Sequence, residues 1–580
     1  MAEERESYER RHLFGLVART AFAGAALAQT APAQETRMPD GRLIFSVRQF
    51  GAAGDGKTKD TAAIQRAIDA SSAARGGIVY FPPGEYLTGS VVLKDHVTLY
   101  LESGATLVGS RDLSDWTSFP APGGAPGGRG GRHLIYAEKA VNVGIMGAGR
   151  INGSADAFYR KRTEAEHPGD YQGRMEGGRV AAFWSVPLAR PNTLIAFREC
   201  TGVRLYDVLL TSTCNWTFRP IMCDGVFVRG VTLRTPLEVP NSDGIDPDGC
   251  TNVLISDCNI STGDDGICLK NNISGRMSRN ITVTNCTVET TCNGLKIDEA
   301  RGDGGFENIT FSNCVIHCAE SPDQNRAISG IHIDSGYDGG RVAGVVISNI
   351  SMYQVRSPIF IRSTARTRGR GPAPGANAPP VSLKYGVIRD IMINNVFATG
   401  QTITNSITGL PDHDLENISL SDIHIAAKER GSSELARKQV PELPEDYPEA
   451  SMFSRVSSYG LYCRHIKGLK LRSIEFELLE PDMRPALICD DVKNLDVNSF
   501  AYATPGSGEP GIRLIGVKRA FIQSCVAPPD SATFLQVEGK DTGKITVIGN
   551  DLSEAAKGVS VADGVPAGVV FEAANRPAKS

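Results

Sequence analysis

The sequence predicts an all-β chain: one right-handed parallel β-helix, a solenoid of single strands with a short helix capping its N-terminal end. Three observations carry this reading. The first is a repeat of apolar, any, apolar, then two residues ending in a small polar residue or Gly, then apolar, any, apolar. It occurs at Val203/Leu205/Val208/Leu210, Val226/Val228/Val231/Leu233, Val253/Ile255/Cys258/Ile260, Ile281/Val283/Cys286/Val288 and Ile309/Phe311/Cys314/Ile316. The starts are 23, 27, 28 and 28 residues apart, and a period of that size with one alternating strand per copy marks a solenoid. Alternation sends the named residues inward and the polar ones outward. The second observation is the 62 glycines among 580 residues, well above the average of roughly 7%, which asks for many tight turns. The third is the residue before the third apolar position: Asp207, Gly230, Asp257, Asn285, Asn313 and Asn349. These types suit a bend between two sheets and can stack on their equivalents.

In chain order, residues 1–35 read as an export leader. Arg10-Arg11 precede a weakly apolar stretch, and Ala31-Pro-Ala33 offers a cleavage site. Paired arginines before such a stretch favour the twin-arginine route, so the protein is expected outside the cytoplasm, periplasmic or extracellular. Residues 36–580 read as a single β-helix domain with its cap near 45–110. Gly51–Asp60 is a loop by composition. Asp60 can cap a helix whose Ile64, Ala67, Ile68 and Ser71 fall at helical spacing, and Gly76-Gly77 end it. Strands follow at Ile78–Tyr86, Val97–Leu101 and Ala105–Val108, then a Gly/Pro-rich loop at Pro120–Gly131. Later copies of the repeat start at Val345, Ile391, Ile418, Leu469 and Leu495. Their uneven spacing marks loops inserted near 363–380 and 430–459, and loops on a rigid solenoid can wall a cleft.

Composition narrows the function classes. A formal charge of −4 gives no reason to expect nucleic acid or an anionic membrane as partner, and no run after the leader has transmembrane length. Thirteen cysteines in a long chain are not a small disulfide framework, and none sits in a C-x-x-C pair. Cys258, Cys286 and Cys314 share one repeat position and are expected to stack as buried thiols, although a disulfide between neighbouring rungs is geometrically possible. The chain is expected to act as a monomer.

The chemistry concentrates in Asn241–Lys270. Asp243, Asp246, Asp248, Asp264 and Asp265 flank one apolar run. Clustered acids repel one another and are costly to desolvate together, so they ask for a functional reason. Hydrolysis of a glycosidic bond supplies one, since it needs an acid for the leaving oxygen and a base for the water. Asp243 and Asp264 are 21 residues apart, close to one rung, which puts them side by side. Gly263 and Gly266 bracket the Asp pair, so a bend there could turn both carboxylates to solvent.

N-S-D at 241–243 and G-D-D at 263–265 resemble the N-T-D and D-D motifs of the polygalacturonase-like glycoside hydrolases, family 28, and the likeness runs from about Phe45 to about Ile425. The D-T-x-x-I-Q-x-A-I and G-G-x-V-x-F-P-x-G-x-Y stretches at 60–86 resemble the entrance of pectin-lyase-like β-helices, where a short helix plugs the open end. The resemblance implies inverting hydrolysis without a metal or cofactor. Asp264 would be the acid, and Asp243 and Asp265 would hold and activate the water. The polysaccharide would be met by Asn241, Lys270, Asn293, Lys296, His332 and Asp334. The chain departs from the family at two motifs. Cys292-Asn293-Gly294 stands where G-H-G is expected, and His332-Ile333-Asp334 where R-I-K grips a galacturonate carboxylate. Lys296 is the candidate replacement cation. These departures point away from plain homogalacturonan. Two other classes stay open on sequence: a carbohydrate-binding β-helix without catalysis, and a lyase using Asp246 and Asp248 for calcium.

Overall fold

The computed structural model describes residues 36–37, 41, 43–120, 131–161, 185–298, 300–318, 328–366, 384–506 and 508–579. The leader, most of the Pro120–Gly131 loop and 367–380 of the first insert lie outside these residues. At the N-terminus Thr36–Arg37 pairs antiparallel with Leu43 and Ile44.

From Phe45 onward the chain is a parallel β-helix whose register is the repeat itself. Val203 lies beside Val226, then Val253, Ile281, Ile309, Val345, Ile391, Ile418, Leu469 and Leu495 on successive rungs. The column continues through Ala520, Ile545 and Val570. A period-2 strand facing a closed interior must place these side chains inward, and from Val203 to Ile545 all are buried. Together they form one continuous apolar core along the coil.

The bends follow from residue type. Asp207, Gly230, Asp257, Asn285, Asn313, Asn349, Asn395 and Asp422 all have φ between 51° and 66°. That left-handed region is accessible to Gly and tolerated best by Asn and Asp. Their side chains then bond from rung to rung. Asn285 Nδ2 donates to Asp257 Oδ1 at 3.3 Å, Asn349 to Asn313 at 2.8 Å and Asn395 to Asn349 at 2.8 Å. A second ladder, Asn252–Asn280–Asn308, runs at another corner.

The helix spans Thr61–Ala73 and buries Ala63, Ile64, Ala67, Ile68 and Ser71. Asp60 precedes it but does not cap it through its side chain. Its carboxylate instead accepts from the amides of Ala53 and Gly54, at 2.6 and 2.9 Å. The preceding loop turns those amides inward, where a buried acceptor is worth more than one more helix-end bond. All thirteen cysteines are free thiols, and Cys258, Cys286 and Cys314 are stacked in contact.

The segment 428–460, between strands Leu415–Ala427 and Leu461–Leu478, folds back over the outer face of one sheet. Val440, Ala450, Phe453 and Val456 pack on Ile328, Phe360, Ile403, Tyr462 and Ile488 in a second apolar cluster. Arg464 donates to the carbonyl of Val440 at 2.6 Å and Arg362 to that of Glu442. At the base of the segment, buried Arg484 bridges Asp482 at 2.7 Å and Glu429 at 2.9 Å. That sheet also carries the acidic cluster.

Candidate active site

Two glycines set the site backbone. A Cβ on Gly263 would lie 2.6 Å from the Leu237 carbonyl oxygen, and one on Gly266 would lie 2.2 Å from Val288. The Asp264–Asp265 turn therefore sits tight against the preceding turn, with the Gly244 amide bonded to the Asp265 carbonyl at 2.9 Å. Asp243 and the Asp pair come together on neighbouring rungs.

The bend does not turn both acids outward. Asp264 is partly exposed, whereas Asp265 is 3% exposed. Successive residues of an extended turn point to opposite sides, and two amides fix Asp264: Asn241 N donates to Oδ2 at 3.0 Å and Asp265 N to Oδ1 at 2.9 Å. Burial, then the neighbouring Asp265 charge, pushes the Asp264 carboxyl above the usual range. Asp265 goes the other way. Burial works against its charge, but Lys296, Lys270 and Asn293 overcome this and hold it ionised. Lys296 Nζ lies 3.1 Å from Asp265 Oδ2, and Asn293 Nδ2 donates to Oδ1 at 2.8 Å. Two adjacent carboxyls in environments that push their affinities for protons apart can divide acid and base roles.

Asp243 and Asp246 share Lys270, whose Nζ is 3.2 Å from Asp243 Oδ2 and 3.7 Å from Asp246 Oδ1. Burial, followed by Asp246, raises Asp243, and burial raises Asp246 to about 7. Two buried acids against one ammonium titrate as a pair and hold a proton between them near neutral pH. Asp243 Oδ1 and both oxygens of Asp246 lack a hydrogen-bond partner. Lys270 also sits 4.7 Å from the centre of the Trp216 ring. Asp248 pairs with Arg219 at 2.5 Å.

The expected sugar-binding groups divide. Asn241 is exposed at the rim, with Arg190 donating to its Oδ1 at 2.9 Å. Asn293, Lys270, Lys296, His332 and Asp334 are all buried. Lys296 is not a free cation for a sugar carboxylate: it lies between Asp265 and Asp298, at 3.1 and 3.2 Å, with the Tyr447 hydroxyl at 3.3 Å. His332 and Asp334 point outward from their strand, as alternation requires, but neither has any exposed surface. Among their neighbours is Phe360, its ring 4.9 Å from that of His332, and Phe360 is one of the residues beneath segment 428–460. Asp265, Cys268 and Asp298 have the spacing of a metal-ligand set, but the Lys296 ammonium already bonds both carboxylates.

Several participants escaped the sequence reading. Asp298 and Ser329 lie two residues after Lys296 and three before His332, so the strand pattern could have found them. Trp216 and Tyr447 carry no local signal, and Tyr447 comes from an insert 151 residues from Lys296.

Comparison with known proteins places the fold and the family. The family model described as glycosyl hydrolases family 28 matches residues 127–443, more than half of the chain. A second model, rhamnogalacturonase A/epimerase, pectate lyase-like, matches residues 44–163. The chain belongs to glycosyl hydrolases family 28. It is 32% identical to a probable polygalacturonase of Vitis vinifera over 39% of this chain and 44% of that protein. An endo-polygalacturonase of Pectobacterium carotovorum subsp. carotovorum is 26% identical over 44% of this chain and 60% of that protein. The chain thus spans about half the length of these relatives. Its fold resembles that of an exopolygalacturonase from Thermotoga maritima, with TM-score 0.51, 23% identity and coverage of 68% of this chain and 89% of that one. A family 28 exopolygalacturonase of Yersinia enterocolitica aligns with TM-score 0.55 and 18% identity over 79% and 82% of the two chains.

Proposed function

We propose that the protein is an exported glycoside hydrolase of pectin-type polysaccharide, inverting, with Asp264 as the general acid and Asp265 and Asp243 holding the attacking water. The observation that carries this is the contrast within one turn. Asp264 is partly exposed and its carboxyl is raised, the direction a proton donor needs; Asp265, one residue on, is buried and held ionised. Asp243 adds an oxygen with no protein partner, Oδ1, able to accept from the water. Inversion rests on the family likeness of these three residues.

The substrate reading follows from the cations. Lys270 and Lys296 each face two carboxylates, and His332 is kept neutral by burial, held down to about 3. Buried and already neutralised, these groups are not left over to bind a galacturonate carboxylate, and an unmatched desolvated charge costs several kcal/mol. A neutral sugar, such as rhamnose or another branch sugar of pectin, suits the subsite better. Export draws on the Arg-Arg leader; among the described residues no helix is long and apolar enough to cross a membrane.

The test compares kcat/KM on homogalacturonan, rhamnogalacturonan and branched pectin fragments for the parent and for Asp264→Asn. The parent is expected to favour the latter two, and the variant to lose about 10²–10⁴ in kcat while keeping its fold. Undiminished turnover by Asp264→Asn removes the assignment of the acid. A preference for plain homogalacturonan overturns the substrate reading.

A further inference from the structure

Asp265 is held by a circuit of side chains in two arms, and the direction of each bond in the first can be worked out. Asn293 spends its NH2 on Asp265 Oδ1, so its own carbonyl oxygen accepts from Ser329 Oγ. A hydroxyl has one proton. With that proton given to Asn293, Ser329 Oγ can only accept from His332 Nδ1, 3.2 Å away. Nδ1 then carries the ring proton, and Nε2 of the neutral ring must accept from Asp334 Oδ2 at 3.0 Å. Asp334 is therefore the protonated partner. Its other oxygen accepts from the Gly336 amide at 2.7 Å. Every bond in the series points the same way, from Asp334 through His332, Ser329 and Asn293 to Asp265.

A second arm reaches Asp265 from the other side. Asp298 bonds Lys296 at 3.2 Å, and Lys296 returns to Asp265 Oδ2. The protonation states agree with this direction. Burial first, then Lys296, lowers His332, and burial first, then Asp298, raises Asp334. The charged groups acting on the imidazole are Lys296, Asp298, Asp265 and Lys270. All seven members of the circuit are at most 3% exposed.

We propose that Asp334, His332 and Ser329 are positioning residues that orient Asp265 through Asn293, rather than sites of sugar contact. This rests on the role given to Asp265 above and adds how its two oxygens are kept in place. A fully buried network with each donor matched is rigid, and its worth lies in the unique geometry it imposes.

Two measurements test it, and they separate this inference from the functional reading. The first is ¹⁵N NMR of the full-length, histidine-labelled protein, with His332 assigned by the loss of its signals in His332→Gln. His332 is expected to stay neutral, with its proton on Nδ1, from pH 5 to pH 8. An Nε2–H tautomer, or titration near the ordinary value of about 6.5, overturns the circuit; no substrate is needed. The second uses whichever polysaccharide the parent hydrolyses, at a temperature well below unfolding. Ser329→Ala, which breaks one link, is expected to lower kcat about tenfold with KM within about twofold. Asp334→Ala should lose as much, and Asp334→Asn, whose amide still donates to Nε2, should recover most of it. A raised KM at constant kcat makes these sugar-contacting groups and overturns the proposal, as does an unchanged kcat. If the parent hydrolyses no polysaccharide, the functional reading falls while the NMR result still decides the circuit.

Discussion

At the scale of single residues, the site is a problem of distributing protons among more acids than lysines can neutralise. Asp246 shows the cost most plainly. It is fully buried, its two oxygens lack hydrogen-bond partners, and its carboxyl is raised to about 7. A folded-state value above the unfolded one, near 3.9, means that the unfolded chain releases its proton first as pH rises. Stability is then complete below about pH 4 and is lost as pH climbs toward 7. Asp246→Asn removes that loss. The melting temperature of the variant relative to the parent is expected to be higher at pH 8 than at pH 5. A difference independent of pH would mean that Asp246 is ionised throughout, held by Lys270. The three acids Asp243, Asp264 and Asp265 could be found from sequence because repulsion makes such clusters rare without a use. The fate of His332 and Asp334 could not. Strand alternation gave their outward direction, but what lies over an outward side chain is decided by distant chain.

At the scale of elements, the corners of the coil do as much as its strands. Asn313 has φ of 54° and accepts from Asn349 while donating to Thr284 Oγ1 at 3.3 Å. Asn313→Ala leaves a Cβ in the left-handed region without the side-chain bonds that let Asn tolerate it, at up to about 1–2 kcal/mol, and breaks the ladder at that rung. Asn313→Gly keeps the backbone freedom and loses only the side-chain bonds. Chemical denaturation should show Ala destabilising more than Gly; equal losses would assign the corner's stability to the ladder, which both variants break. These corners were legible because Asn, Asp and Gly recur at one place in the repeat. The helix was legible too, from its apolar spacing, but the partner of Asp60 was not. Capping is a local rule, and here two loop amides offered a better-placed demand for the same carboxylate. Strand register needed no correction, since a one-residue slip would have turned every apolar side chain outward.

At the scale of the molecule, regularity and interruption have different origins. The repeat alone sets the stacking, so the fold was readable wherever the period held. The insert at 428–460 has no period. Its position follows from contacts with residues as far off as Ile328 and Arg484, which no local pattern encodes. It is also what hides the sheet around Phe360, and so what separates the observed surroundings of the sugar-binding candidates from the expected ones.

The stacked free thiols have a consequence for how such a chain can be made. Every cysteine except Cys292 is buried, and Cys292 is only partly covered. Burial also pushes thiols such as Cys214, Cys268 and Cys463 up, away from the reactive thiolate. Once coiled, the chain is chemically quiet toward oxidants. Before coiling it is the opposite, a thread of thirteen sulfhydryls able to cross-link in almost any combination. A compartment that forms disulfides would therefore treat the two states very differently, and the surroundings in which the chain first coils decide which state meets them. An aromatic disulfide reagent added to native protein should titrate about one thiol quickly and all thirteen only after denaturation. Rapid reaction of many thiols in the native state would show that the coil gives no such protection. Refolding under oxidising conditions should yield mixed disulfides, and refolding under reducing ones a homogeneous product, which would make early coiling, rather than covalent stapling, the safeguard of these thiols.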